Sequence, residues 1–223
     1  MIFLRYFLNL NQYFFADDST LYITGEDPIS MIETANSDLE ILYNWCVSNR
    51  LTINSNKTYY MLFTNKSIDT LPPLKYDNSV IAKTEQHKML GITFDEGMTF
   101  KPHISNISHN LSRNIALLYQ VKNFMPTTVL QIMYNAHVLP YFQYCTPIWC
   151  NTYPTHLLPL FRLQKKIIRI ISNHDYYDHT QPLFKSMNIL KLFDINKLQI
   201  GIYMYKSVNR SNVTALLPQH PHP

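Results

Sequence analysis

The chain has 223 residues and a mass of 26.3 kDa, with 46% apolar and 15% charged residues. That is enough to bury a core and too apolar for a disordered tail. Only 4 glycines occur, with neither a G-x-G-x-x-G nor a P-loop pattern, which argues against a glycine-rich phosphate cradle.

The net charge of +4 hides an asymmetry. Residues 1–100 hold 7 Lys plus Arg against 12 Asp plus Glu, net −5. Residues 101–223 hold 12 against 3, net +9. An acidic half followed by a basic half suits a metal-binding site joined to a polyanion-binding surface, though ordinary surface variation gives the same pattern. Three cysteines, Cys46, Cys145 and Cys150, cannot build a disulfide framework, and no C-x-x-C pair suggests zinc. The expectation is a reducing, intracellular setting, nucleus or cytoplasm, with no secretion. Met1 to Leu10 is apolar, but Arg5 interrupts it and no small-residue cleavage site follows. Residues 123–161 lack Asp, Glu, Lys and Arg. Gln131, Asn135, His137, Pro140, Gln143 and Pro147 break that stretch, so no run of ~18 apolar residues spans a bilayer. It reads as a buried helical hairpin.

In chain order, Tyr13–Ala16 and Ser19–Ile23 read as strands, with Asp17-Asp18 as a two-residue hairpin connection. Asp27 is set to cap a helix with Pro28 in its first turn. Ile32, Ala35, Leu39, Leu42 and Cys46 form its apolar stripe, and Asn49 ends it. Lys57–Phe63 reads as a strand, Leu71-Pro72-Pro73 as a loop, and Met89–Phe94 as a strand closed by Asp95-Glu96-Gly97. After Pro102 the pattern turns helical, with a stripe at Ile104, Ile107, Leu111, Ile115 and Leu118. Further helices fit Thr127–His137, Leu157–Ile171 and Asp194–Val208. The expected class is α+β. Mixed strand and helix occupy 1–100, helices occupy 101–217, and 218–223 form a frayed tail.

Asp17 and Asp18 are adjacent carboxylates at a hairpin tip, and hard cations such as Mg²⁺ take carboxylate oxygen. Asp pairs are also common in turns, so the pair alone does not establish a metal site. Its surroundings do more. The run Phe14-Phe15-Ala16-Asp17-Asp18-Ser19-Thr20 resembles the catalytic hairpin of reverse transcriptases of non-LTR, LINE-type retrotransposons. Asn49-Arg50-Leu51-Thr52-Ile53-Asn54-Ser55-Asn56-Lys57-Thr58 is similar to that family's N-x-L-x-L-N-x-x-K-T segment. Leu90-Gly91-Ile92-Thr93-Phe94-Asp95 resembles its primer-grip element, and Phe100-Lys101-Pro102-His103-Ile104 the opening of its helical thumb. Leu163 to Ile171 and Pro182 to Leu190 resemble later blocks, in the family's order, so the likeness covers about residues 12–217.

The resemblance implies the distal palm, thumb and following helices of an RNA-directed DNA polymerase. It implies two Mg²⁺ (or Mn²⁺) ions, an RNA template, a DNA primer and deoxynucleoside triphosphates. Asp17 and Asp18 would be metal ligands, and Phe15, Ala16, Leu90 and Gly91 would lie against the primer. Lys57 would act as general acid to the leaving pyrophosphate, since a positioned ammonium can stabilise charge on the leaving oxygens and release a proton. Residue types alone favour reading Lys57 as a solvated strand-edge lysine. In the family, fingers and a further metal-binding Asp lie upstream of this hairpin. Here 16 residues precede Asp17 and none is acidic. The expectation is therefore a C-terminal portion of a retrotransposon reading frame that does not polymerise alone.

Arg162, Lys165, Lys166 and Arg169 recur along one side of the 157–171 helix, with Leu160, Leu163, Ile167 and Ile171 on another. With Lys101 they are candidates for phosphate contact. A solvated helix face is the competing reading. Two rivals remain to the polymerase: a non-catalytic nucleic-acid-binding remnant using the basic half, and a relic with no stable fold. The histidines do not cluster at ligand spacing, residues 174–179 read as polar loop, and the tyrosines and Trp149 read as core.

Overall fold

The computed structural model describes residues 11–15, 18–64 and 71–209, with residues 11–15 and 18 described by backbone alone. The chain divides into two units, 1–87 and 88–223.

In the first unit, β1 (Asn11–Phe15) and β2 (Asp18–Tyr22) pair antiparallel from Asn11↔Tyr22 to Phe15↔Asp18. Residues 16 and 17 fall between the strands and outside the described residues. The connection expected at Asp17-Asp18 is thus one position too late, because Asp18 already opens β2. Phe14 and Phe15 favour a strand and alanine does not, which fits a ladder that closes at Phe15.

Helix α1 (Pro28–Ser48) starts as expected. The Asp27 carboxylate accepts from Ser30 N–H at 2.9 Å, and Pro28 occupies the first turn, where its missing N–H is not needed. Its five-residue stripe is buried against Leu74, Tyr76 and Ile81. Arg50, at φ 57, closes the helix. Leu51 N–H bonds the Cys46 carbonyl at 2.8 Å and Arg50 N–H the Val47 carbonyl at 3.1 Å, a Schellman motif with arginine in the place that suits glycine.

The strand expected over Lys57–Phe63 contracts to β3 (Tyr59–Tyr60), because Ser55–Lys57 winds into a 3-10 turn capped by the Asn54 side chain. The sequence reading missed β4 (Lys75–Tyr76) and β5 (Ser79–Val80), joined by Asp77-Asn78, and β6 (Ala82–Lys83), which pairs parallel with β3. Asp77, at φ 53, supplies the left-handed turn conformation. The Asn36 amide fixes this layer to α1. It donates to the Pro73 carbonyl at 3.1 Å and accepts from Lys75 N–H at 2.8 Å.

The second unit opens with a hairpin where one strand was expected. β7 (Gln86–Met89) and β8 (Ile92–Asp95) are hydrogen-bonded neighbours joined by Leu90-Gly91, at φ 47 and 83. A two-residue connection with both φ positive is the hairpin turn that Gly91 makes feasible. The division between the two units falls inside β7, and Ile92 already belongs to the helical core.

Asp95 then fixes the turn that leads into α2 (Lys101–Val121). One carboxylate oxygen takes Thr99 N–H at 3.0 Å and its hydroxyl at 2.9 Å, and the other takes Phe100 N–H at 2.7 Å. Helix α3 runs Thr127–His137 as expected. The single long hairpin expected over 123–161 is broken into α3, α4 (Leu139–Gln143), α5 (Thr146–Trp149) and the start of α6 (Pro154–Ile171). Pro140, Pro147 and Pro154 fall in the first turns of α4, α5 and α6, where they are tolerated, Pro126 caps the start of α3, and Pro159 lies inside α6. Helix α7 (Thr180–Ser186) was not anticipated, and α8 (Leu192–Asn209) extends the expected 194–208 helix.

Trp149, Tyr134, Leu111, Leu160 and Ile167 are buried at the centre of this bundle. Gln164 lies among them. Its amide donates to the Tyr134 hydroxyl and the Leu190 carbonyl, and accepts from Leu192 N–H, each at 2.9 Å. The described strands form four separate pairs. The α+β class stands as a mixture of helices and small sheets. No helix among the described residues is long and apolar enough to cross a membrane. The tail expected at 218–223 lies outside the described residues.

Burial pushes the Tyr134 phenol up to about 12, partly opposed by the Gln164 hydrogen bond. A raised phenol keeps its proton in the fold while the unfolded chain loses it, so the contribution is whole below pH ~10 and lost as pH rises towards 12. Denaturant titrations from pH 9 to 12 should show an alkaline loss of which about 2–3 kcal/mol disappears in Tyr134→Phe. Equal alkaline slopes in the two proteins would count against this.

Candidate nucleic-acid interface

The structure distributes the expected site residues unevenly. Ala16 and Asp17 lie outside the described residues. Phe15 ends β1 and Asp18 begins β2 as backbone partners, and their side chains are not described. No group of three or more His, Cys, Asp or Glu side chains able to hold a metal occurs among the described residues. A metal at the hairpin therefore rests on the chemistry of the Asp17-Asp18 donor pair. Lys57 is exposed at the end of the 3-10 turn, its N–H bonded to the Asn54 carbonyl at 3.0 Å.

Leu90 and Gly91 form the β7–β8 turn, which Tyr144 holds. The Tyr144 hydroxyl donates to the Leu90 carbonyl at 2.6 Å. A Cβ on Gly91 would stand 3.3 Å from the Tyr144 ring. Tyr144 is fixed in turn, because its carbonyl accepts from the indole N–H of buried Trp149 at 2.9 Å. Cys145, at φ 49, and Leu90, at φ 47, are both left-handed without being glycine. Two disfavoured residues kept in place by hydrogen-bonded neighbours mark a turn whose shape is over-determined. Nothing in the sequence pattern singled out Tyr144.

Buried His103 is a core histidine. Thr93 N–H donates to its Nδ1 at 3.4 Å, and its ring packs edge-on to Trp149 at 5.7 Å. Burial, with Lys88 nearby, holds its pKa below the usual range. Buried Cys150 is likewise inert, its thiol pushed up to about 11. The expectation that Trp149 and the tyrosines are core holds for Trp149, Tyr76 and Tyr134, whereas most of the other described tyrosines, Tyr176 and Tyr177 among them, are exposed.

The cations on α6 do not share one role. Arg169 sits in the last turn, where a positive charge suits the helix dipole. Its Nε donates to the Asp178 carbonyl at 2.9 Å and its guanidinium lies 5.8 Å from the Tyr176 ring. Lys165 lies over the Phe161 ring at 4.6 Å. Arg162 and Lys166 are exposed, one helical turn apart. Lys101 is exposed in the first turn of α2, the end a cation disfavours, so helix stability does not account for it. The apolar side differs from expectation too. Gln164 faces the core and Leu163 is only partly buried, because the Tyr134 hydroxyl and the Leu190–Leu192 backbone need a polar partner there.

The chain is similar to RNA-directed DNA polymerases of mobile elements. It is 25% identical over 183 residues to the RNA-directed DNA polymerase from mobile element jockey of Drosophila funebris, covering 81% of this chain and 20% of that protein. It is 26% identical over 194 residues to the probable RNA-directed DNA polymerase from transposon BS of Drosophila melanogaster, covering 80% of this chain and 21% of the relative. The polymerase from transposon X-element of the same fly matches at 25% over 157 residues. The chain spans about a fifth of the length of these curated relatives. The resemblance read from the ordered motifs is borne out by these matches to non-LTR retrotransposon polymerases. No protein-family model and no solved structure matches the chain.

The Gly91 turn has a checkable consequence. Gly91→Ala places a Cβ at φ 83 against Tyr144, and should cost about 1–2 kcal/mol. Tyr144→Phe, losing one hydrogen bond, should cost about 0.5–1.5 kcal/mol. The double variant should fall short of the sum, since both act on one turn. Additive losses in denaturant melts would separate the two residues.

Proposed function

We propose that the chain is part of a mobile-element RNA-directed DNA polymerase and that its helical unit binds an RNA–DNA template–primer. The supporting observation is the likeness to such polymerases across four-fifths of the chain. Exposed Arg162 and Lys166, which no packing role explains, agree with it. Under this reading residues 1–100 are distal palm, and residues 101–217 are thumb and following helices.

Asp17 and Asp18 would hold Mg²⁺ or Mn²⁺, which when bound supplies charge neutralisation at the reacting phosphates. Lys57 is solvent-accessible on a short turn and would give a proton to the pyrophosphate oxygen of the departing group. Phe15, Ala16 and the Tyr144-held Leu90-Gly91 turn would lie along the primer, and Lys101 would contact backbone phosphate. The rest of the polymerase would complete the pocket for the deoxynucleoside triphosphate. The 223 residues by themselves would bind without extending a primer.

Two measurements test this. Affinity for an RNA–DNA hybrid should fall steeply with salt. Neutralising Arg162 and Lys166 together should flatten the slope of log K against log[salt] by about 1.4–1.8 units. Neutralising Arg169 should act mainly by loosening the 173–179 loop. An unchanged slope in the double variant would show a merely solvated face. Deoxynucleotide incorporation on a poly(rA)/oligo(dT) hybrid with Mg²⁺ or Mn²⁺ should be absent. Incorporation that vanishes in Asp17→Asn would instead show a self-sufficient catalytic site.

A further inference from the structure

We infer that Tyr176 and Tyr177, at the C-terminal end of the α6 cation row, form a stacking platform for the unpaired bases of a single-stranded nucleic acid. The inference rests on the nucleic-acid reading above. It adds the strand form bound and the residues that select it.

Tyr177 is 90% exposed and Tyr176 69%, beside a bundle that buries Tyr134 and Trp149 completely. Their rings stand perpendicular with centroids 5.3 Å apart. Hydrogen bonds fix the loop that carries them. Asn173, at φ 52, ends α6 in a Schellman motif, with His174 N–H on the Arg169 carbonyl at 2.9 Å. Asp178 N–H bonds the Asp175 carbonyl at 3.1 Å, and the Asp178 carboxylate accepts from Asp175 N–H at 2.9 Å. Arg169 ties the far end of the loop to α6 through the Asp178 carbonyl. These hydrogen bonds hold the loop out, and Tyr176 also meets the Arg169 guanidinium at 5.8 Å, which leaves Tyr177 the more exposed ring of the two.

At 90% exposure Tyr177 offers an open ring face, and every base has a π-face to meet it. Arg162 and Lys166 lie on the helix whose end holds the loop, about 10 Å or less along its axis from Arg169. A strand with its phosphates on those cations can bring a base to Tyr177. Asp175 and Asp178 place negative charge on the loop, which suits a base there and not a phosphate. The internal bases of a blunt duplex are already stacked on their neighbours and gain nothing from the ring.

The test uses the full chain with a fluorescent single-stranded oligo(dT) and a blunt RNA–DNA hybrid of matched length, at several salt concentrations. Tyr177→Leu should raise Kd for the single strand about five- to tenfold, and Tyr177→Phe should restore it. Neither should change hybrid affinity or the salt slope, because stacking releases no counterions. An unchanged single-strand Kd in Tyr177→Leu, with the slope still set by Arg162 and Lys166, overturns the platform and leaves the wider reading standing. Equal losses on strand and hybrid would make Tyr177 a general support of the loop and also overturn it. No binding of either oligonucleotide by the wild-type chain overturns the platform together with the nucleic-acid reading.

Discussion

The helical unit depends on one buried amide. Gln164 is fully enclosed, yet both its amide hydrogens and its oxygen find partners, on Tyr134, Leu190 and Leu192. Those partners belong to α3, the segment before α8, and the first residue of α8. Removing the amide would strand a phenol oxygen, a carbonyl and an N–H inside an apolar core, at roughly 1–3 kcal/mol each. Because every group is paired, the network favours one arrangement of three segments over slipped alternatives that apolar packing alone would tolerate. The exposed side of α6 is set by the same constraint. With Gln164 turned inward, Arg162 and Lys166 fall on the opposite, solvent face of the helix.

A second constraint comes from composition. The chain has 4 glycines, so left-handed positions must be filled otherwise. Among the described residues, Arg50, Asn173 and Asn188 end helices α1, α6 and α7 in the place glycine usually takes, and Asp77 turns the β4–β5 hairpin. Asn and Asp reach this conformation at least cost. Leu90, Phe100 and Cys145 do not, and each is restrained by its surroundings. The Leu90 carbonyl is held by Tyr144, Phe100 N–H by Asp95, and the turn before α5 by the Trp149 indole. Strain kept in place by hydrogen bonds gives the β7–β8 turn a single shape.

Periodicity made the long elements legible. The α1 and α2 stripes and the limits of α3 could be read directly, because buried residues at helical spacing leave a strong signal. Short elements were not legible. β3 to β6 are two residues each, below the length at which alternation shows, although Asp77-Asn78 is a turn signal that could have been used. Gly91 was read as part of a strand when its freedom of φ made it the turn between two. Gln164 was invisible because a polar residue in an apolar stripe looks like a boundary until its partners are known. The candidate site was legible only as an ordered set of weak motifs. No spacing rule points to Tyr144, whose partner Leu90 is 54 residues away, or to Tyr176, whose partner Arg169 is 7 residues away.

The four α6 cations show why charge periodicity needs a structure beside it. On the sequence they are equivalent, one row with one possible duty. In the fold, Arg169 is committed to the loop and the helix terminus, and Lys165 leans on Phe161. Only Arg162 and Lys166 are left with charge that the protein's own packing does not use. A surface lysine or arginine adds little to stability, so keeping two of them aligned costs the fold almost nothing. The same Arg169 that leaves the phosphate row builds the mount for the two exposed tyrosines. Under the proposed reading, a residue taken for one more phosphate contact thus separates the row into a part that would attract any polyanion and an end that would distinguish paired from unpaired strands.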